Sequence, residues 1–144
     1  STLEKELAIN NTIVIGDFNA SPFDSELTQK DAFNAVLYKD IILDEEHVTL
    51  FKRKYRRFYN PMLCYISEDP HNYGSIYYAS GISSLYWFCY DQIIVRRPLI
   101  NSIASVQYCK AVHSKSLLNR IKPNKKISDH LPLLCIFKEV PLDE

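Results

Sequence analysis

Glycine, methionine and tryptophan are scarce in this sequence, with three, one and one copies among 144 residues. So few glycines exclude collagen-like and glycine-rich low-complexity chains. No apolar run approaches the roughly 20 residues that a membrane-spanning helix needs, and the longest, Ile13–Ile15 and Leu131–Phe137, are the length of strands. The remaining composition, 47% hydrophobic and 24% charged residues, is that of a globular protein, and the length allows one domain.

Net charge is also absent, because 17 Lys and Arg balance 17 Asp and Glu. The charges are unevenly distributed along the chain. Residues 1–48 carry ten acidic and three basic residues, whereas residues 49–144 carry fourteen basic and seven acidic residues. This asymmetry is consistent with one surface for cations and another for a polyanion, or with two solvated faces of one domain.

No two of the four cysteines are close in sequence, so the CxxC spacing of zinc and redox sites is absent. A chain of this length with four cysteines is not a disulfide scaffold. We therefore expect a reducing, cytoplasmic environment.

The residue pattern predicts strands near both ends with helices between them, which favours an α+β or α/β fold. The predicted elements are a helix within Ser1–Leu7, a buried strand over Thr12–Ile15, helices over Asp24–Gln29 and Lys30–Leu37, a loop over Phe51–Pro61, a hairpin of Gly74–Ser80 and Leu85–Tyr90, a strand within Ala104–Val112, an exposed loop over His113–Lys126, and a last strand over Leu131–Phe137.

Asp17 and Asn19 follow the first predicted strand directly. Side chains two residues apart on an extended chain point the same way, so both would project from the strand end. A carboxylate beside an amide suits a hard cation, a water or a phosphate oxygen. A turn stabilised by these short polar side chains is an equally good interpretation of the pair alone.

Asp91 lies between the apolar stretches Leu85–Tyr90 and Ile93–Val95. A carboxylate in such surroundings is costly unless it is paired, so the sequence predicts a partner. A structural salt bridge to Arg96 or Arg97 is one possibility, and a functional histidine is another.

Asp129 and His130 stand just before the last predicted strand. Neighbouring side chains diverge on an extended backbone, so Asp129 is free to face a metal, while His130 needs another carboxylate to fix its tautomer. Asp91 is the available candidate. A capping aspartate beside a surface histidine is the simpler alternative.

The three signals, read in order, resemble the motifs of the endonuclease/exonuclease/phosphatase family. They are Gly16-Asp17-Phe18-Asn19, Tyr90-Asp91-Gln92-Ile93 and Ser128-Asp129-His130-Leu131-Pro132, and the stretches Phe58–Met62 and Gly74–Tyr78 also look like bacterial members. That family includes pancreatic-type deoxyribonucleases, apurinic/apyrimidinic endonucleases, inositol polyphosphate phosphatases and sphingomyelinases. The resemblance spans Thr12 to Phe137. It implies an α+β chain forming the C-terminal half of a four-layer α/β sandwich, with a mostly antiparallel or mixed sheet flanked by helices.

The resemblance also implies a role for each matching residue in Mg²⁺- or Mn²⁺-dependent cleavage of phosphate esters. Asp17 would orient or deprotonate the attacking water, and Asn19 would hold the nucleophile and the scissile phosphate. Asp129 would lie at the metal, with Asp17 and Asn19 as further ligands. His130 would contact the phosphoryl oxygens, and Asp91 would orient it.

The sequence departs from the family in one respect. The family's N-terminal half normally supplies an early asparagine, the main glutamate ligand of the metal and a further catalytic histidine or tyrosine, and only a short segment precedes Gly16 here. Residues 1–144 are therefore expected to be a partial domain from a longer enzyme, without that half. Such a piece should bind metal poorly, be inactive alone, and either self-associate or pack against the missing half.

A basic stretch with interleaved aromatics makes Lys52, Arg53, Arg56 and Arg57 candidates for substrate binding. The segment Lys110–Lys126 is also basic, with six Lys and Arg and no acid. We expect a phosphate-ester substrate, with a nuclease favoured. A small-molecule or lipid phosphatase of the same family, and a non-catalytic protein-binding module with the same fold, are the alternatives.

Overall fold

In a computed structural model of the chain, residues 2–68, 74–79, 84–113 and 115–139 are described, and they form the predicted α+β fold. The helices are α1 (Thr2–Glu6), α2 (Ser25–Thr28), α3 (Lys39–Asp44) and α4 (Met62–Glu68), with a 3-10 helix at Arg97–Ser102. The strands are β1 (Ile13–Asp17), β2 (Ala35–Val36), β3 (His47–Leu50), β4 (Arg53–Arg56), β5 (Phe58–Tyr59), β6 (Ile76–Tyr77), β7 (Trp87–Phe88), β8 (Asp91–Val95), β9 (Ile103–Tyr108), β10 (Ala111–Val112), β11 (Lys115–Ser116), β12 (Leu118–Asn119), β13 (Lys122–Pro123) and β14 (Leu133–Phe137). No helix among the described residues is both long and apolar enough to cross a membrane.

Strand β8 is the centre of a four-stranded mixed sheet in the order β1-β8-β5-β2. Its apolar run is buried on both faces, as such a run predicts. Ile93 and Val95 pack into one cluster with the helices and β9, and Ile94 packs into a second cluster with Leu27 and Phe58. This two-sided burial fixes the register of β8 and therefore the position of Asp91 at its start.

Two further strand pairings place β14, and the segment with His130 that precedes it, near β8. Strands β9 and β14 pair antiparallel, with a register shift between Ile136 and Phe137. Strands β6 and β7 form the predicted hairpin, shorter than expected, and its turn, residues 80–83, lies outside the described residues. An isolated bridge between Ile76 and His130 then fastens the segment before β14 to the hairpin.

The first strand is not buried, contrary to the prediction. β1 pairs only with β8 among the described strands, so it lies at a sheet edge. Ile13 is 43% exposed and Ile15 is 53% exposed, because no described element covers the face to which both point. The β-branched residues predict the correct element here but not its burial.

Three other local predictions are wrong. The helix predicted over Lys30–Leu37 is absent, and the segment instead leads into β2, with a helix at α3 that the pattern did not predict. The predicted loop Phe51–Pro61 contains β4, paired with β3, and also β5. The predicted loop His113–Lys126 contains β11 to β13, in two short hairpins. Each error concerns residues whose strand pairing depends on a partner that local propensity does not reveal.

Candidate active site

Asp91 and His130 meet at the start of β8. His130 Nδ1 lies 2.6 Å from Asp91 Oδ2, and the two side chains are 26% and 20% exposed, with the histidine given first. The pairing predicted between these residues, 39 positions apart, is confirmed. The alternative of a salt bridge from Asp91 to a neighbouring arginine is wrong, because Arg96 binds Glu4 instead.

Asp17 lies beside this pair because it is the antiparallel register partner of Asp91. Residues directly opposite each other in such a ladder have Cα atoms about 4.5–5.5 Å apart. Asp17 Oδ1 accepts a hydrogen bond of 2.8 Å from the backbone N–H of Asn19, whose φ is +49°. The side-chain-stabilised turn considered from the sequence is therefore present, and it leaves the second oxygen of Asp17 without a hydrogen bond from any described residue.

A buried glutamine fixes the loop that carries Asn19. Gln92 is fully buried, its Nε2 donates to the backbone carbonyl of Ala20 over 2.5 Å, and its Oε1 accepts from Asn60 Nδ2 at 2.8 Å. Asn60 in turn caps the start of α4 by accepting from the N–H of Met62. The network ties β8 to the loop after β1, so the residues on either side of Asp17 and Asp91 cannot drift apart without breaking buried hydrogen bonds.

Ser75 connects Asp91 to the segment that carries His130, a role that the sequence did not reveal. Its hydroxyl oxygen accepts from the N–H of Asp91 at 3.0 Å, and its carbonyl accepts from the N–H of Leu131 at 2.7 Å. Gly74 lets the backbone just before Ser75 pass close to Phe88, because a Cβ at Gly74 would lie 2.7 Å from the carbonyl oxygen of Phe88 and φ is +147°. The signal that could have found Ser75 is a Gly-Ser pair inside an otherwise aromatic stretch.

Tyr108 is a second support that the sequence did not single out. Its hydroxyl donates to the backbone carbonyl of Asp91 over 2.7 Å from strand β9. Burial raises the pKa of this phenol far above its ordinary value of 10.0, so it stays protonated and keeps donating. Both backbone groups of Asp91 are thus held by buried side chains.

The environment of His130 raises the pKa of its imidazole above the ordinary value of 6.5. Burial acts against the charged form and is the largest single influence, but it is outweighed by the hydrogen bond to Asp91 together with the negative charges of Asp91, Asp17 and Asp129.

The residues offered as metal ligands form a sparse donor set. No three His, Cys, Asp or Glu side chains within the described ranges are grouped so as to hold a metal ion. Asp17, Asn19 and Asp129 are exposed and provide two carboxylates and an amide oxygen. Mg²⁺ prefers such oxygen donors, commonly binds through one or two carboxylates, and keeps several waters. The donor types are therefore those of a hydrated Mg²⁺ or Mn²⁺, but the described residues do not form a preassembled metal-binding group.

The four basic residues predicted to bind substrate are not brought to this site. The backbone carbonyls of Arg56 and Arg57 accept hydrogen bonds from Arg96. Arg96 directly follows Val95, the last residue of β8, which lies about 13 Å along the strand from Asp91. Arg56 is also ion-paired with Glu46 and Arg57 with Glu45. Lys52 and Arg53 are exposed at the tip of the β3–β4 hairpin.

Comparison with family models, with curated proteins and with solved structures finds no match for this chain. A functional assignment therefore depends on the geometry of the described residues.

Proposed function

We propose that this chain carries part of the active site of a metal-dependent phosphoesterase, most consistent with cleavage of phosphodiesters in nucleic acid. The observation that carries the proposal is the 2.6 Å contact between His130 Nδ1 and Asp91 Oδ2, with Asp17 in register beside it. A carboxylate-oriented imidazole next to further carboxylates suits a reaction in which a proton and a phosphoryl charge must both be managed.

The orientation of His130 determines its role. Because Nδ1 is engaged by Asp91, the other ring nitrogen, Nε2, is the one that can face a substrate, and no described residue hydrogen-bonds it. The raised pKa favours the imidazolium near neutral pH. In that form Nε2–H donates a charge-assisted hydrogen bond to a phosphoryl oxygen and offsets the charge that builds up during attack.

Asp17 and Asn19 would act on the other side of the phosphorus. The oxygen of Asp17 that Asn19 leaves free can accept a hydrogen bond from the attacking water and align it for in-line displacement. Asp17, Asn19 and Asp129 would hold the metal, which when bound supplies Lewis-acid stabilisation of the phosphate. The proposal gives no role in catalysis to Lys52, Arg53, Arg56 or Arg57.

The exposed apolar faces of two strands support a further part of the proposal, that another segment packs on this chain. Ile13 and Ile15 on β1 and Leu134 and Ile136 on β14 are each 40% exposed or more. We propose that they are covered by the remainder of the same domain in a longer protein, or by a second copy when the 144-residue chain is isolated. Sedimentation of the isolated chain should show association, and a monomer at high concentration would contradict this part.

The test is hydrolysis by a longer protein that contains this chain, assayed with Mg²⁺ on duplex DNA, abasic DNA, RNA, inositol phosphates and sphingomyelin. We expect turnover of at least one nucleic acid and loss of that turnover in His130→Asn. The control is His113→Asn, since His113 is an exposed histidine in the turn after β10. Equal activity of the two variants would contradict the proposal, and so would robust turnover by the isolated 144-residue chain.

A further inference from the structure

A cavity of about 260 Å³ lies beside the candidate active site, and three lysines line it. Lys122, Lys125 and Lys126 share its wall with Tyr77 and with Asp129. We call this feature the lysine cavity. It is separate from the Asp91–His130 contact but shares Asp129 with the proposed metal-binding set.

The lysine cavity has an excess of positive charge. Asp129 is the one carboxylate among its lining residues, against three ammonium groups, and none of the three forms an ion pair with a described carboxylate. Lys122 Nζ lies 5.7 Å from the centre of the Tyr77 ring, a cation–π distance that holds the ammonium at the wall.

The backbone that presents the lysines is ordered by hydrogen bonds. Lys122 lies in β13, which pairs with β12, and the N–H of Asn124 donates to the carbonyl of Leu117 at 2.8 Å. The side chain of Asn124 then accepts from the N–H of Lys126 at 3.2 Å. These contacts arrange the three lysines around one opening, in place of a freely solvated loop.

The lysine cavity is also fixed relative to His130. Tyr77, on its wall, directly follows Ile76, which forms the bridge to His130, and Asp129 directly precedes His130. An anion bound in the lysine cavity would therefore lie next to a phosphate bound at His130.

We propose that the lysine cavity binds a phosphate group of the substrate other than the one that is cleaved. The inference rests on the proposed function and narrows it to substrates that carry more than one phosphate. Lysine is an effective point-charge ligand for phosphate, and a single-phosphate substrate would leave the three charges without a partner. A nucleic acid strand and a polyphosphorylated small molecule share this chemistry.

The test compares two triple variants that remove the same charge from different parts of the molecule. One is Lys122→Gln/Lys125→Gln/Lys126→Gln, and the matched control is Lys52→Gln/Arg53→Gln/Lys54→Gln, at the exposed β3–β4 hairpin. Binding of pyrophosphate, of a four-nucleotide single strand and of inositol hexakisphosphate is measured by calorimetry in EDTA, after circular dichroism has shown that both variants keep the fold. The last two probes distinguish the sources of the second phosphate.

We expect the cavity variant to bind pyrophosphate about tenfold or more weakly, and the control within about twofold of the unmodified chain. For the strand, the salt dependence of log K should fall by about 0.7 for each phosphate that the cavity variant no longer neutralises. Equal weakening in both variants, or undiminished binding by the cavity variant, would overturn the proposal. Binding in EDTA is measured without turnover, so it is independent of the hydrolysis assay. If only the cavity variant binds more weakly but a longer protein hydrolyses no phosphate ester, the anion site is supported and the proposed function is rejected.

Discussion

The two ends of strand β8 carry ion pairs that look alike in their distances and differ in almost every other respect. At the far end Arg96 binds Glu4 through two bonds of 2.7 Å, and at the near end His130 binds Asp91 through one of 2.6 Å. Arg96 and Glu4 are 4% and 10% exposed, whereas His130 and Asp91 are 26% and 20% exposed.

Every nitrogen of the arginine at the far end is engaged in a hydrogen bond. Its Nε and Nη2 bind Glu4, its Nη1 donates to the carbonyls of Arg56 and Arg57, and its guanidinium lies 3.5 Å from the centre of the Phe58 ring. A group that is bonded through every nitrogen and is almost fully buried can stabilise the fold but is not accessible to a ligand. The imidazole at the near end keeps Nε2 available. The comparison shows that a candidate site is marked by a charged side chain with a polar atom still available to a ligand. Proximity of opposite charges alone does not mark one.

The largest expected effect is on catalysis at the near end. In a longer protein that is active, Asp91→Asn and His130→Asn should each reduce kcat by about 10²–10⁴-fold, because orientation and charge of the imidazole are lost. The double variant should lose little more than either single variant, since the two residues act as a unit. Additive losses in the double variant would separate the residues and break the comparison. The free energy of unfolding, measured in parallel, should change far less than it does at the far end.

The converse effect is expected for stability at the far end. Arg96→Met should lower the free energy of unfolding by about 3–5 kcal/mol, because it removes the cation that pairs with the buried Glu4 carboxylate and the donor to the carbonyls of Arg56 and Arg57. The adjacent and exposed Arg97 provides the matched control as Arg97→Met, with an expected change within about 0.5 kcal/mol. Urea unfolding of the two variants measures both values. Similar midpoints would show that the Arg96 network is not a stabilising element.

The two pairs should also respond to pH in opposite directions. The hydrogen bonds from Arg96 hold the pKa of Glu4 well below its ordinary value of 4.5. A carboxyl with a lowered folded-state pKa contributes stability that is present above pH 4.5 and is lost as the pH falls through the folded value. Glu4→Gln should therefore flatten the acid side of the stability profile. An unchanged acid limb in that variant would contradict the assignment.

His130 gives the opposite sign. Its folded-state pKa is raised above the ordinary value of 6.5, so its contribution is fully present below pH 6.5 and is lost as the pH rises through the folded value. His130→Asn should remove this loss from the profile of unfolding free energy against pH, and His113→Asn should leave it in place. If the alkaline side of the profile is the same in both variants, Asp91 does not favour the charged imidazole.

The smallest effect is expected from the hydroxyl that supports the near end. Ser75→Ala removes the acceptor for the N–H of Asp91 and should cost about 1–3 kcal/mol of stability. It should also lower the pKa of His130, seen by NMR titration of the ring, because the carboxylate is less well held. A matched Ser105→Ala, on β9 away from this contact, should shift neither quantity. A stability loss without any shift of the imidazole titration would make Ser75 a packing residue only.

The sequence predicts the near end of β8 much better than the far end, for physical reasons. An aspartate within an apolar run requires a partner, and that requirement identifies Asp91. The need of His130 for a carboxylate then makes the two residues candidates for each other, although a neighbouring arginine would satisfy Asp91 equally well. The Glu4–Arg96 pair, 92 residues apart, leaves no comparable local signal, because a glutamate on a short polar helix and an arginine after a strand are each ordinary. Long-range partners are visible only when one of them is in a costly place.

Burial and pairing are the other quantities that local pattern does not supply. Ile13 and Ile15 have strong strand propensity, yet the edge position of β1 leaves them exposed. The basic segment around Arg56 has the composition of a substrate-binding loop, but its pairing with β3 and its ion pairs depend on partners in residues 45–50. Ser75 is marked locally only by its place in a Gly-Ser pair, because the importance of a small polar residue depends on its hydrogen bonds.

The most direct test of the account is a titration of the ¹⁵N-labelled chain with Mn²⁺, whose paramagnetism broadens the amide signals of nearby residues. If Asp17, Asn19 and Asp129 converge beside His130, the amides of these four residues should broaden first and together, at a low ratio of metal to protein. Broadening that begins at the acidic segment Asp44–Glu46 and leaves those four amides sharp would contradict the claim that they form one site.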